Sequence, residues 1–151
     1  MSADDSTPRS PVRVPGAGVA IFAAGAATFA LELLGPRHLA PGVGTSLPVM
    51  TASIAVVLAG AALGAFAAGR LADRGHGGRS EGLAFVVAAL AVGLGVLLAR
   101  PVLEFVAPTG SPTVRALVGA LAMLAVPSAA LGAVPILAAR RAVTARPGER
   151  G

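Results

Sequence analysis

Charged residues are missing from four long stretches of this chain, and these gaps set its architecture. Residues 14–31 carry no charge between Arg13 and Glu32, and residues 38–69 carry none between Arg37 and Arg70. Residues 82–99 lie between Glu81 and Arg100, and residues 116–139 between Arg115 and Arg140. The stretches are rich in Ala, Gly, Leu and Val and lack the period-two alternation of a half-buried or barrel strand. A helix crosses a bilayer with roughly 20 apolar residues. The pattern therefore predicts an all-α, polytopic membrane protein with four transmembrane helices, at about residues 15–35, 48–70, 82–100 and 114–139.

Composition agrees with an apolar solvent. The 151 residues are 55 % hydrophobic and 13 % charged, whereas a soluble domain carries about 25 % charged residues. Cysteine is absent, which excludes disulfides and thiolate metal sites. The basic residues are all arginine, and they sort by side. With the N-terminus inside, the inner segments hold Arg9, Arg13, Arg70, Arg74, Arg79, Arg140, Arg141, Arg146 and Arg150. The outer segments hold only Arg37, Arg100 and Arg115. The positive-inside rule then places both termini in the cytoplasm, in the inner (plasma) membrane. The net charge of +5 is thus a topology signal. No stacking aromatics accompany the arginines, so nucleic acid is not an expected partner.

Residues 1–13 are polar and Pro/Ser-containing, which predicts a disordered cytoplasmic lead. The apolar run that follows exceeds the 7–15 residues of a signal-peptide core, and three more spans succeed it. It is read as the first helix of a bundle over 14–141, with a basic cytoplasmic tail over 142–151.

The segment "GRLADRGHGGR" (69–79) separates the second and third spans. A Walker-type loop needs a lysine, and the chain has none. A dinucleotide loop needs a βαβ unit. The remaining reading is a short cytoplasmic hairpin. Gly75, Gly77 and Gly78 would supply positive φ for the reversal. Asp73 would bond loop amides or cap the third helix, with Arg70 and Arg74 at the inner face. The stretch "RPVLEFVAPTGSPTVR" (100–115) suggests a short interfacial helix around Val102–Val106, then a reversal at Pro108, Gly110 and Pro112.

The hairpin resembles the loop between helices 2 and 3 of major facilitator superfamily transporters, G-x-L-a-D-R-x-G-R-R, through Gly69, Leu71, Asp73, Arg74 and, with one residue inserted before it, Arg79. A wider resemblance, over about 20–141, is to the membrane domain of the fused spermidine synthase family. "LELLGPRHLAPGVGTS" matches E-L-x-x-x-R-x-L-A-P-x-x-G-x-S through Glu32, Leu33, Arg37, Leu39, Ala40, Pro41, Gly44 and Ser46. "VPSAALGAVPILAAR" resembles P-x-x-x-L-G-x-x-x-P through Pro127, Leu131 and Gly132, with Pro135 one residue earlier than the pattern's last proline. The first resemblance implies that Asp73 and Arg74 gate the inner face by pairing with neighbouring helix ends. The second implies a membrane bundle that is fused, in family members, to a soluble aminopropyltransferase. No residues of such a catalytic domain are present in these 151. The seven acidic residues form no catalytic constellation. No enzyme activity, cofactor or metal site is therefore expected.

Glu32 is the sharpest single residue, because a carboxylate within a span is costly and marks a functional site by default. With the first helix ending near residue 35, it would lie about one turn from the outer surface. Three readings stand: an ion pair with Arg37, Arg100 or Arg115, a site for a cationic group or proton, or interfacial exposure. Gly60 and Gly64 form G-x-x-x-G on the second helix, which predicts close packing without assigning a dimer face. Pro127 and Pro135 should kink or open the fourth helix.

Three functions fit. The chain is expected to be a scaffold or anchoring membrane subunit acting with a separately encoded aminopropyltransferase-like protein. The alternative is a small polyamine or cation transporter that works through Glu32 as a homo-oligomer. The third is a remnant without activity of its own.

Overall fold

A computed structural model describes residues 16–74, 77–106 and 111–144. It contains four helices: α1 (Ala17–Val43), α2 (Leu47–Asp73), α3 (Gly77–Val106) and α4 (Pro112–Thr144). No strand occurs among the described residues. Each helix holds a window long and apolar enough to cross a membrane. The lead over 1–13, the loop residues Gly75 and His76, Pro108 and Gly110, and the tail beyond Thr144 lie outside the described residues.

Every helix is longer than the span predicted for it, and the ends show why. α1 does not stop at Gly35-Pro36 but runs on through Pro36 and Pro41. Neither proline breaks it, as is common in membrane helices, where neighbours make up for a lost backbone bond. It stops at Gly44, whose φ of 84° is open to glycine at no steric cost, with its amide bonded to the Ala40 carbonyl at 2.8 Å. α2 starts from Ser46 with Pro48 in its first turn. α4 starts from Ser111, whose Oγ accepts from the Val114 amide at 3.3 Å, with Pro112 at the first helical position.

Two expectations about the connections are corrected. Gly77 and Gly78 already belong to α3 and have no positive φ, so the reversal after Arg74 is shorter than expected. Residues 102–106 are not a separate interfacial helix, because α3 continues through Pro101 to Val106.

The packing centres on α4, which touches all three other helices, while α2 and α3 flank it with little mutual contact. α2 runs parallel to α4. Gly60 meets Ser128, Gly64 meets the Ala129 backbone, and Gly132 meets the Ala61 backbone. A Cβ on Gly64 would overlap the Ala129 carbonyl, and one on Gly132 would overlap that of Ala61. The G-x-x-x-G face is therefore used inside the chain, where small residues allow the backbones to touch. The buried hydroxyls of Ser53 and Ser128 donate to carbonyls of their own helices, Val49 at 2.9 Å and Leu124 at 2.7 Å. Large apolar side chains such as Phe22, Leu47, Leu97 and Phe105 point outward instead. An apolar exterior around a small-residue interior suits lipid, not water.

α1 crosses α4 on a slant. At the end of the bundle that holds Ala17 and Thr144, Ala20 and Ala24 pack on Val134 and Ala138, with Ala84 and Phe85 of α3 alongside. At the far end, Leu39 packs with Val49, Ala52 and Val56 of α2 and with Ala116 and Ala120 of α4. α1 thus lies near α3 at one end and near α2 at the other. That slant opens a wedge between α1 and α3.

Candidate functional site

The terminal end of the bundle joins its helices through adjacent arginines on α4. Arg140 Nη1 donates to Asp73 Oδ1 at 3.1 Å, tying the last turn of α4 to the last residue of α2. Arg141 Nη1 lies 3.6 Å from Glu81 Oε2, which links the same turn to the first turns of α3. The two pairs differ in setting. The Asp73 side chain is 82 % exposed and that of Glu81 only 11 %, and Glu81 Oε2 is buried without a hydrogen bond.

Asp73 therefore does not cap α3. It reaches across 67 residues of sequence to α4. Arg70 stacks over the Phe66 ring at 4.2 Å, one turn back on α2, where cation–π attraction and its apolar stem hold it at the helix surface. Arg74 caps α2, its amide bonded to the Leu71 carbonyl at 3.1 Å, and Gly69 has open space beside it. Arg79 lies in the first turn of α3. Among the hairpin side chains described, those of Arg70, Asp73 and Arg74, Asp73 is the one that an ion pair ties to another helix.

Sequence reasoning missed Arg140, Arg141 and the burial of Glu81 as parts of this junction. A signal for it existed. Two consecutive arginines end the fourth span on the side where Asp73 and Glu81 bracket the hairpin.

Glu32 is half-buried on α1. Because α1 continues to Val43, eleven residues separate Glu32 from that helix end, a rise of about 16 Å. Glu32 thus sits near the middle of a roughly 40 Å helix, which is longer than the roughly 30 Å hydrocarbon core of a bilayer. The same continuity separates it from Arg37. Five residues along an unbroken helix are about 140° apart around it, so the two side chains leave on different faces. Among the described residues, Glu32 has no ion pair with Arg37, Arg100 or Arg115. Its face is shared by Leu39, seven residues on, which is buried against α2 and α4. Pro36 has no N–H to give to the Glu32 carbonyl four residues back. One turn of α1 thus brings together a carboxylate and a carbonyl without its helical donor near the middle of the helix.

α4 runs unbroken through Pro127 and Pro135. Pro127 and Ser128 are buried at the crossing with α2, and Gly132 packs directly on the Ala61 backbone. These residues shape the α2–α4 contact. The carbonyl released by Pro127 belongs to Met123, and it faces Gly95 of α3.

The wedge between α1 and α3 is a cavity of about 500 Å³. Its walls include Ala27, Ala30 and Leu34 of α1 and Ala89, Val92 and Val96 of α3, with Met123, Leu124 and Leu131 of α4 as floor. His38 is the polar side chain in its lining, and its Nδ1 bonds to the Leu34 carbonyl at 3.1 Å. Glu32 is not part of this lining. Comparison with family models, curated proteins and solved structures returns no match.

Proposed function

We propose that this chain is a four-helix membrane subunit of the spermidine synthase membrane-domain type, with its termini in the cytoplasm, serving a separately encoded aminopropyltransferase-like enzyme at the inner face. The observation that carries this reading is the Asp73–Arg140 pair at 3.1 Å. The resemblance of the hairpin implies that its aspartate pairs with a neighbouring helix end, and Asp73 is bonded to the end of α4. The junction leaves Arg70 and Arg74 exposed on the same face, a basic surface suited to an anionic leaflet or an acidic partner. The test is co-purification of the tagged chain from native membranes in mild detergent, read by mass spectrometry. Recovery of an aminopropyltransferase-like protein supports the subunit reading, and recovery of the chain alone counts against it.

Glu32 favours a second reading, binding or passage of a polyamine or other cation by a homo-oligomer. A half-buried carboxylate inside a membrane-length apolar helix, without a partner among the described residues, is the default mark of such a site. Spermidine binding to the purified chain, lost in Glu32→Gln, would support it. Equal binding by both proteins would remove it.

A further inference from the structure

We propose that the wedge between α1 and α3 is a binding site for one acyl chain of an anionic phospholipid, with the lipid headgroup at the His38–Arg100 mouth. The dimensions favour a chain over a helix. Its α1 wall runs from Ala27 to His38, a rise of about 16 Å, close to one leaflet of a roughly 30 Å core. A volume of about 500 Å³ confined to that depth is far less than a membrane-crossing helix fills, with roughly 20 residues and a diameter of about 10–12 Å. The wedge also closes at the terminal end, where Ala17 and Ala20 of α1 meet Ala84 and Phe85 of α3. A partner helix crossing the whole membrane could not follow it through. A polymethylene chain entering from the far leaflet could, and would end against Ala27 and Phe85.

Charge selects the headgroup. Arg100 lies one turn beyond the lining residue Val96, and Arg37 adjoins His38. All three are exposed, and Glu104 is the acidic residue nearest this mouth in sequence. A phosphate diester with an uncharged head would gain from these donors, whereas a choline head would bring a second cation. The inference does not depend on the subunit reading above, since it involves neither the Asp73 junction nor Glu32.

The test uses the full chain reconstituted from equal parts phosphatidylglycerol and phosphatidylcholine, then washed in detergent and examined by native mass spectrometry. The expected result is a single retained phospholipid with phosphatidylglycerol preferred. Ala89→Leu and, from the opposite wall, Ala30→Leu should each fill the channel and weaken retention about tenfold or more. Arg100→Gln should abolish the headgroup preference while some lipid stays bound. Ala62→Leu, on the exposed face of α2, should retain lipid as the native chain does. Three outcomes would overturn the proposal: equal retention of the two lipids, undiminished retention in both filled variants, or a dimer whose interface covers the wedge.

Discussion

Two carboxylates in this bundle occupy opposite kinds of surroundings. Glu32 lies mid-helix on α1 without a partner among the described residues, while Glu81 lies at a helix start within 3.6 Å of a guanidinium. A charge at the bilayer centre costs about 2.5–3.5 kcal/mol on insertion scales. Glu32→Gln should therefore leave the chain in lipid nanodiscs at least as stable as the native protein, and more stable by up to about 3 kcal/mol if the residue is ionised. A drop in melting temperature would reveal a partner the described residues do not include. At the terminal junction the residues rank by burial. The Asp73–Arg140 pair is open to solvent, and exposed pairs contribute about 0–1 kcal/mol. Asp73→Ala should cost no more than that. Glu81→Ala removes a buried stem as well as an ion pair and should cost about 1–2 kcal/mol. Thermal unfolding of the two variants side by side checks the order. This reverses the ranking that the hairpin motif suggests, because a motif shows which residues resemble a gate and not how deeply each is packed.

At the level of elements, the α2–α4 crossing is where small substitutions should matter most. Gly64→Ala places a methyl into the Ala129 carbonyl, and Gly132→Ala does the same to Ala61. With backbone on the other side, the helices must separate, and overpacking of this kind costs about 1–3 kcal/mol. Gly93→Ala, with nothing within 4 Å of the added carbon, should be neutral or stabilising by up to about 1 kcal/mol, since Ala is the better helix former. Equal melting temperatures for the Gly64 and Gly93 variants would mean that the crossing is not as close as described. The spans themselves were legible in the sequence, because a charge-free run is a direct consequence of the bilayer. Their ends were less so. Gly35-Pro36 and Pro101 read as boundaries by rules learned in water, yet α1 and α3 pass through them. Ending α1 near residue 35 hid that Glu32 and Arg37 share one unbroken helix and leave it on different faces. The pairing of α2 with α4 was half visible: Gly60 and Gly64 announce a close contact, but nothing in their spacing says which helix receives it.

At the scale of the whole molecule, four apolar helices joined by short connections allow only an up-down order, and the structure places Asp73, Glu81, Arg140 and Arg141 together at one end. Ser46 and Ser111 begin α2 and α4 at the other. The arginine bias, nine against three, predicts that the end with the termini faces the cytoplasm. The absence of cysteine makes this directly measurable. Single cysteines at position 46, 111 or 74 can be introduced without background and exposed in intact cells to a membrane-impermeant maleimide. Ser46→Cys and Ser111→Cys should label from outside, and Arg74→Cys only after the membrane is opened. The reverse pattern would keep the bundle and invert it, moving the Asp73 junction away from any cytoplasmic enzyme. The subunit proposal would fall with that inversion, while the acyl-chain wedge would merely change leaflet. Labelling of positions 46 and 74 from the same side would go further and deny that α2 crosses the membrane at all.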